Sequence, residues 1–373
     1  WAKNTPIKKG TENFRIIRYE YYKDRSIERE AFKSGDIHLF SENTSKDWAT
    51  NYDTPAVNQG LIKKELTEHQ NPQGMQAFVF NIRKDIFKDK VVRKALSYAF
   101  DFEWTNKNLF YGAYKRTDSF FENSELASSA LPSLEELEYL NPYIDALPKE
   151  IFQEEYKNPK TDGSGFMRLE LQKATLLLKK SGWDLNKGEL VNKKDGKKFE
   201  FEILLVSPAF ERIVLPFKDN LKKLGINVNI RTVDSAQYQN RIDKFDFDMI
   251  VNTFSQSLSP GNEQRNFWGS DASITNGSKN FIGIKNTIID LMIEKIISSK
   301  NREDLINSSK ALDRILLSGH YVIPQWHISA YRTLYWDIFD KPKIIPKYSL
   351  GINTWWIDNK KEKSIDQRKK SLQ

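Results

Sequence analysis

The chain has 373 residues, of which 39% are hydrophobic and 13% aromatic, so it has enough apolar material for two cores rather than one. Its net charge is +8, but basic and acidic residues are interspersed, and the composition gives no basic stripe typical of nucleic-acid binding. The absence of cysteine excludes structural disulfides, thiolate catalysis and cysteine-based metal sites.

The first predicted elements form a βαβ unit. The stretch FRIIRYEYY (14–22) is rich in β-formers and predicts a strand. SIEREAFKSGD (26–36) predicts a helix with Ser26 as its cap and a glycine at its end, and the next strand follows at 37–42. Further along, GMQAFVFNIRK (74–84) predicts a strand, and the apolar period of residues 89–101 predicts a helix.

A second regular block follows in the later part of the chain. Strands are predicted at 197–206, 226–233 and 247–254, with helices at 208–225 and 234–246, the last capped by Asp234. This β-α-β-α-β order is typical of a mainly parallel sheet with helices on its faces. Two helices and an aromatic-rich group of strands are predicted after it.

The stretch SQSLSPGNEQRNFWGS (255–270) leaves the carboxyl end of the third strand of this block, where open α/β sheets bind their ligands. Pro260 and Gly261 predict a tight turn with a positive φ at the glycine. The turn would present Gln256, Ser257, Ser259 and Asn262 to the backbone of an extended peptide.

Other residues of this stretch allow two interpretations each. Phe267 and Trp268 either line a pocket for a ligand side chain or pack against a helix of the same lobe. Arg265 either binds a ligand carboxylate, as guanidinium does bidentately, or is an ordinary surface residue. Trp326, with three tryptophans that follow it, either lies in the core or contacts ligand.

Residues with the usual catalytic or metal-binding spacing are not evident. No nucleophile elbow, phosphate-binding loop or ligand-spaced histidine pair occurs, which favours structural roles for the histidines. Asp246 and Asp248 leave a carboxylate pair for glycoside hydrolysis open, although one strand start is a poor place to assemble it. The histidines are His38, His69, His320 and His327.

Two sets of stretches resemble a known family. MQAFVFNIRK followed by VRKALSYAFDFEWTNKNLFYGAYKRTDSFFENSELA resembles the start of the C-terminal lobe in solute-binding proteins of the peptide, nickel and dipeptide class (family 5) of ABC transporters. SPAFERIVLPFKDNLKKLGINVNIRTVDSAQYQNRIDKFDFDMIVNTFSQSLSPGNEQRNFWGS and GHYVIPQW are similar to its Yej-type branch, whose members import microcin C and murein or other short peptides. The resemblance runs over roughly residues 1–358.

This resemblance implies an α/β fold of the type II periplasmic binding protein class, with two lobes joined by hinge strands near 78–83 and 322–328. Lobe I would comprise 1–80 and 327–373, and lobe II would comprise 81–326. Trp1 falls where the family's chain returns to the first lobe. The first lobe is therefore expected to be incomplete, to expose apolar surface within residues 1–80 and to need the N-terminal portion of the same protein as a partner.

The implied function is that of a periplasmic solute-binding component of an ABC importer, which binds short peptides or peptide conjugates by lobe closure. Such a protein is not an enzyme, uses no cofactor or metal, binds no nucleic acid and works with ABC permease and ATPase subunits. The alternatives are an α/β hydrolase acting on peptide or glycan, and a binding protein that serves as a sensor or host-interaction partner.

In oligopeptide-binding members, an aspartate after the corresponding strand pairs with the α-amine of the ligand. Ser257 falls at that place here, so the charge is missing, and Glu263 is either its nearest acidic replacement or a cap of the next turn. The predicted ligand-binding residues are Phe120, Asn123, Phe254, Gln256, Ser257, Ser259, Asn262, Glu263, Arg265, Phe267, Trp268 and Trp326.

Overall fold

A computed structural model describes residues 4–370 of the chain, so the predicted role of Trp1 lies outside the described residues. The chain divides into two compact units. Unit one is the chain up to Asn71 and from Ser329 onward, and unit two is Pro72–Ile328. Each unit has a hydrophobic core of its own.

The elements alternate between helix and strand through most of the chain. The helices are α1 (Arg25–Ser34), α2 (Ser45–Thr50), α3 (Pro55–Asn58), α4 (Lys90–Ser97), α5 (Phe102–Leu109), α6 (Leu134–Leu140), α7 (Glu150–Gln153), α8 (Arg168–Lys180), α9 (Glu211–Lys223), α10 (Ser235–Asp243), α11 (Glu263–Trp268), α12 (Thr287–Ile297), α13 (Arg302–Ser318) and α14 (Asn359–Lys370). The strands are β1 (Leu39–Ser41), β2 (Ile62–Glu68), β3 (Met75–Phe80), β4 (Lys115–Arg116), β5 (Trp183–Asn186), β6 (Glu189–Asn192), β7 (Glu200–Leu205), β8 (Asn227–Thr232), β9 (Met249–Phe254), β10 (Val322–Pro324), β11 (Trp326–His327), β12 (Ala330–Trp336), β13 (Phe339–Asp340) and β14 (Trp356–Ile357).

Unit two is built on a five-stranded sheet with the order β10-β3-β9-β7-β8. β7 is parallel to both β8 and β9, while β3 is antiparallel to β9 and to β10. The prediction that the block β7-α9-β8-α10-β9 forms one parallel sheet is therefore confirmed. Asp234 caps α10 as predicted, since its side chain accepts hydrogen bonds from two amides of the first turn.

Helices cover both faces of this sheet, as the alternation of side chains along β3 shows. Met75 and Val79 point into one core, which α12 and α13 complete, whereas Phe78 and Phe80 point into the other, which α4 and α9 complete. All of these side chains are fully buried. The unit is thus a three-layer α/β/α structure, in agreement with the predicted fold class.

Unit one contains a smaller, antiparallel sheet with the order β1-β12-β2. Its core includes Phe32 of α1, Phe40 of β1 and Trp336 of β12, whose indole Nε1 donates to the carbonyl of Phe32 at 2.9 Å. Trp355 is also buried, but Trp356 is 39% exposed. β1 and β2 are the edge strands of this sheet.

The predicted N-terminal βαβ unit is wrong, because residues 14–22 form no strand. This stretch is largely exposed, with Tyr19 at 76% and Tyr21 at 91% exposure, and its β-forming residues join no ladder within the described residues. The predicted cap is also wrong, since Asp24 rather than Ser26 accepts the first amides of α1. The predicted exposure of apolar surface within residues 1–80 is confirmed.

The predicted lobe boundaries, 1–80 with 327–373 against 81–326, stay a prediction. β3 and β10, which contain much of the two predicted hinges, are neighbouring strands in the sheet of unit two. Lobes of a binding protein are defined by how they move when ligand binds, and a single conformation does not measure that movement.

Candidate functional site

The strands of unit two bring several chain segments to one edge of the five-stranded sheet. β7, β8, β9 and β10 run in the same direction, because β3 is antiparallel to both of its neighbours. Their carboxyl ends therefore meet at one edge, which we call the carboxyl edge. The segments that leave it begin at Val206, Val233, Ser255 and Gln325. Open α/β sheets bind ligands at such an edge, which makes it the candidate site.

Residues 255–262, the exposed loop, leave β9 at this edge. Ser257, Ser259 and Asn262 are exposed, and Gln256 is half-buried. The Ser257 hydroxyl accepts a hydrogen bond from the Ser259 amide at 3.2 Å, and the side chains of Gln256 and Gln264 exchange hydrogen bonds. A hydroxyl has one donor and two acceptor positions, so the serines keep capacity for a ligand's backbone.

The exposed loop changes direction differently from the prediction. The φ of Gly261 is not positive, Pro260 is buried, and the bend lies at Leu258 and Ser259. The carboxylate of Glu263 accepts a hydrogen bond from the Gly261 amide at 2.8 Å. A side-chain contact from the start of α11 thus holds the segment that was predicted to form a tight turn, and that prediction is wrong.

A buried aromatic cluster supports the exposed loop from below. The rings of Phe254 and Trp268 lie 4.6 Å apart, and Phe120 packs edge-on against Trp268 at 5.1 Å. All three side chains are buried in the core, so a ligand would not touch them in this conformation, while Phe267 is half-buried. The Trp268 indole donates to Gln264 at 2.8 Å, which links the cluster to the glutamine pair.

Gly74 sets the entry to β3 beside the exit from β9. Its φ is +64°, and a Cβ at this position would lie 2.1 Å from the carbonyl oxygen of Phe254. Only a residue without a side chain allows the two backbones to approach this closely. The base of the exposed loop is thus fixed to the neighbouring strand.

Residues 117–128, the anchored loop, are held by the buried carboxylate of Asp313 on α13. One carboxylate oxygen accepts from the Phe120 amide at 2.8 Å, and the other accepts from the Ser119 hydroxyl at 2.7 Å and from the Ser128 amide and hydroxyl at 2.9 and 2.6 Å. Burial nevertheless raises the pKa of Asp313 to about 6. Asn123 lies in this loop, half-buried and with a φ of +60°.

The charged residues of α11 are bound within the protein. The guanidinium of Arg265 pairs bidentately with Glu294, at 2.8 and 2.7 Å, and donates to Asn262 at 2.6 Å. This ion pair raises the pKa of Arg265 and lowers that of Glu294. Arg265 is therefore already ion-paired, whereas Glu263 is held by a neutral amide contact, and both contacts are exposed to solvent.

Trp326 lies in a second aromatic cluster at the carboxyl edge, which the sequence did not predict. Its ring lies 4.5 Å from that of Phe110 and stacks on Phe210 at 6.1 Å, and Tyr114 lies 6.0 Å away. Phe210 follows β7 and is half-buried. Arg116 of β4 lies directly opposite Trp326 in the β4–β11 ladder. A basic residue set among aromatics, in KNLFYGAYKR, is the signal that could have pointed to this region.

The histidines and the Asp246–Asp248 pair have contacts that suit structural roles. Burial lowers the pKa of His320 to about 3 and that of His327 to about 4, so both rings are neutral at physiological pH. Asp248 accepts the Glu202 amide at 2.9 Å and pairs with Lys84, and Asp246 pairs with Arg241. Within residues 4–370, no group of acidic and histidine side chains is arranged to hold a metal ion.

Comparisons with known proteins agree with this architecture. Residues 1–276 match the family model described as bacterial extracellular solute-binding proteins, family 5 Middle. The chain is 45% identical over 361 residues to the uncharacterized protein y4wM of Sinorhizobium fredii, covering 95% of this chain and 54% of that protein. It is 43% identical to the probable peptide-binding protein YejA of Agrobacterium fabrum, and the match covers 95% of this chain and 58% of that protein. It thus spans little more than half the length of these curated relatives.

Among solved structures, the chain is similar to the oligopeptide-binding protein AppA of Bacillus subtilis in complex with a nonapeptide. The TM-score is 0.64 at 20% identity, and the match covers 90% of this chain and 59% of AppA. The fold is that of type II periplasmic binding proteins. None of the helices in the described residues has the length and apolar character needed to cross a membrane. The chain belongs to the bacterial extracellular solute-binding proteins of family 5.

Proposed function

We propose that this chain is part of the peptide-binding component of an ABC importer, which binds short peptides or peptide conjugates in the periplasm without converting them. The observation that carries the proposal is the similarity over 95% of the chain to the probable peptide-binding protein YejA. An ABC permease and its ATPase would receive the ligand. Binding needs no cofactor, since hydroxyl, amide and aromatic groups suffice to hold a peptide.

The exposed loop supports this proposal in chemical terms. An extended peptide presents alternating amides and carbonyls, and the side chains of Gln256, Ser257, Ser259 and Asn262 can both donate to and accept from them. Phe267 and Trp326 would contact apolar side chains, and Asn123 would add a further amide. Participation of Glu263 requires a shift of its contact with Gly261, and that of Arg265 requires opening of its pair with Glu294.

The N-terminal portion of the same protein is the proposed partner of residues 14–22. This segment is β-forming and largely exposed, and β1 and β2 are the edge strands of the sheet of unit one. Such edges attract additional strands. Hydrogen exchange of the amides of residues 14–22 tests this, because they should be protected in the full-length protein and exchange rapidly in the 373-residue chain. Equal, fast exchange in both would contradict the pairing.

The peptide-binding function is tested with full-length protein purified from a bacterial lysate. Native mass spectrometry should detect a bound species with the mass of a short peptide, and calorimetry with the synthesised peptide should give one site per chain. The peptide should be recovered intact after prolonged incubation. Cleavage of the peptide would favour the hydrolase alternative, and no binding across a varied peptide pool would contradict the proposal. Lobe closure stays a prediction that small-angle scattering with and without peptide can test.

A further inference from the structure

Arg116 differs from Arg265, because within the described residues its charged group has no hydrogen-bonding or ionic partner and is buried. Its Nε, Nη1 and Nη2 atoms are all buried, and within residues 4–370 none of them makes a hydrogen bond. Arg265 is bound by Glu294 instead. A guanidinium carries five N–H donors, and a buried donor that lacks an acceptor destabilises the protein. The fold therefore contains a buried cation whose N–H donors have no acceptor within the described residues.

The surroundings of Arg116 hold the guanidinium in place without satisfying its donors. Its Cζ lies 5.0 Å from the centre of the Phe100 ring and 5.3 Å from that of Phe102. Cation–π contacts stabilise the charge, but they offer no acceptor to the N–H groups in the guanidinium plane. Burial lowers the pKa of Arg116 to about 10, so it is charged at physiological pH.

The carboxylates in the neighbourhood accept hydrogen bonds from other donors. Oδ1 of Asp101 accepts from the Thr161 hydroxyl at 2.5 Å and from the Trp104 amide, whereas its Oδ2 is buried and makes no hydrogen bond within residues 4–370. Glu103 accepts from the Thr161 amide at 3.1 Å, and Asp118 accepts from the side chain of Asn158 at 2.7 Å. These carboxylates favour the charged form of Arg116 through space, but none of them accepts a hydrogen bond from its guanidinium.

The position of Arg116 connects it to the candidate site. Directly opposite residues of an antiparallel ladder project to the same face, so Arg116 and Trp326 lie on one side of the β4–β11 pair. Trp326 in turn stacks on Phe210, which follows the carboxyl end of β7. The guanidinium nitrogens are buried in this conformation, so a ligand group would reach them by displacing side chains of this aromatic cluster.

From this geometry we infer that Arg116 is an anion subsite of the ligand-binding region, which takes a carboxylate of the bound peptide between its paired N–H donors. The inference rests on the proposed peptide-binding function. A carboxylate matches the guanidinium fork with two parallel hydrogen bonds, and the low dielectric of the buried position strengthens them. The carboxylate can be the C-terminus of the peptide or an acidic side chain.

The test uses full-length wild type, Arg116→Met and the matched control Arg212→Met. Arg212 also carries a guanidinium near this cluster, 5.9 Å from the Phe110 ring, but it is exposed. The probes are two tripeptide libraries of identical composition, one with free C-terminal carboxylates and one with C-terminal amides, and native mass spectrometry measures which members are retained.

Wild type should retain the free-acid library at least about tenfold better than the amide library. Arg116→Met should lower retention of the acids by about 10- to 100-fold, to the level of the amides, whereas Arg212→Met should keep the preference. If wild type retains amides that contain Asp or Glu, and Arg116→Met loses them, the inference holds and the carboxylate is that of a side chain.

The melting temperature without ligand separates recognition from scaffolding. Removal of an unpaired buried cation should leave it unchanged or raise it, since methionine fills similar space and has no donors to satisfy. A lower melting temperature together with an unchanged preference for acids would overturn the inference. Equal retention of both libraries by wild type, without enrichment of acidic members, would also overturn it and leave peptide binding intact. Retention of neither library would overturn the proposed function itself, and this inference with it.

Discussion

The anchored loop and the exposed loop meet at the same edge of the sheet but are held in opposite ways. In the anchored loop, hydroxyls and amides converge on the buried carboxylate of Asp313. In the exposed loop, the polar contacts are local and lie at the surface, as where the Ser257 hydroxyl accepts from the Ser259 amide. The contrast indicates that the anchored loop has a structural role, whereas the exposed loop keeps hydrogen-bonding groups available to a ligand.

The largest expected effect comes from removing the aromatic support that the two loops share. Trp268→Ala should lower the free energy of unfolding by about 3–5 kcal/mol, because it empties a fully buried position that contacts Phe254 and Phe120. Urea denaturation measures this, and Phe267→Ala, at a half-buried neighbour, should cost less. If Trp268→Ala barely changed stability but abolished peptide binding, the residue would be a ligand contact rather than a support.

A smaller, pH-dependent effect should come from Asp313. Its pKa is about 6 in the folded chain against an ordinary value of 3.8, so the folded state holds the proton more tightly than the unfolded state. This contribution to stability is present below pH 4 and is lost as the pH rises to about 6, by on the order of 2–3 kcal/mol. The stability advantage of wild type over Asp313→Asn should therefore shrink over this range and then level off.

Urea denaturation at a series of pH values from 4 to 8 measures this difference. Ser128→Ala serves as the control, since it removes only the hydroxyl hydrogen bond and leaves the backbone amide contact and the carboxylate in place. It should lower stability while keeping the pH dependence. A gap between wild type and Asp313→Asn that does not vary with pH would mean that Asp313 stays ionised throughout.

The smallest effect on stability, but a clear one on binding, is expected in the exposed loop. Ser257→Ala combined with Asn262→Ala should weaken binding of the captured peptide well beyond tenfold, because each lost hydrogen bond is worth about 0.5–1.5 kcal/mol. The melting temperature should hardly change, since both side chains are exposed. Calorimetry and a melting curve on the full-length protein give the two numbers.

Arg265→Ala is the matched control for that double variant. Its guanidinium is bound by Glu294, so we expect the peptide affinity to stay within about threefold of wild type. A tenfold loss would show that the ion pair opens and that Arg265 meets the ligand. Unchanged affinity in the double variant would show that the exposed loop is scaffold and that peptide binds elsewhere.

The sequence predicts correctly those helices and strands that are determined by neighbouring residues in the chain. The β7-α9-β8-α10-β9 block has alternating periodicity and a cap at Asp234, and it folds as expected. Residues 14–22 have the same β-forming character but form no strand, because a strand needs a neighbour to bond with. Ser26 was predicted as a cap although Asp24 lies two residues earlier and reaches the same amides.

The candidate site can be predicted only in part, because some of its features depend on contacts between distant parts of the chain. The loop after β9 can be found from strand order alone, since the carboxyl edge follows from topology. The role of Asp313 cannot, because its donors lie nearly two hundred residues away along the chain. The unpaired state of Arg116 is equally invisible in the sequence, since it depends on how the side chains around the guanidinium are arranged in the fold.

Gly74 has a consequence for how proteins of this architecture diverge. Any side chain there would collide with the Phe254 carbonyl, so selection removes substitutions at this position whatever the ligand is. Ser257 and Asn262, a few residues further along from the same contact, are exposed, so changes there can alter ligand contacts without disturbing the sheet. New ligand preferences can therefore evolve by exchange of the loop while the sheet beneath it remains unchanged.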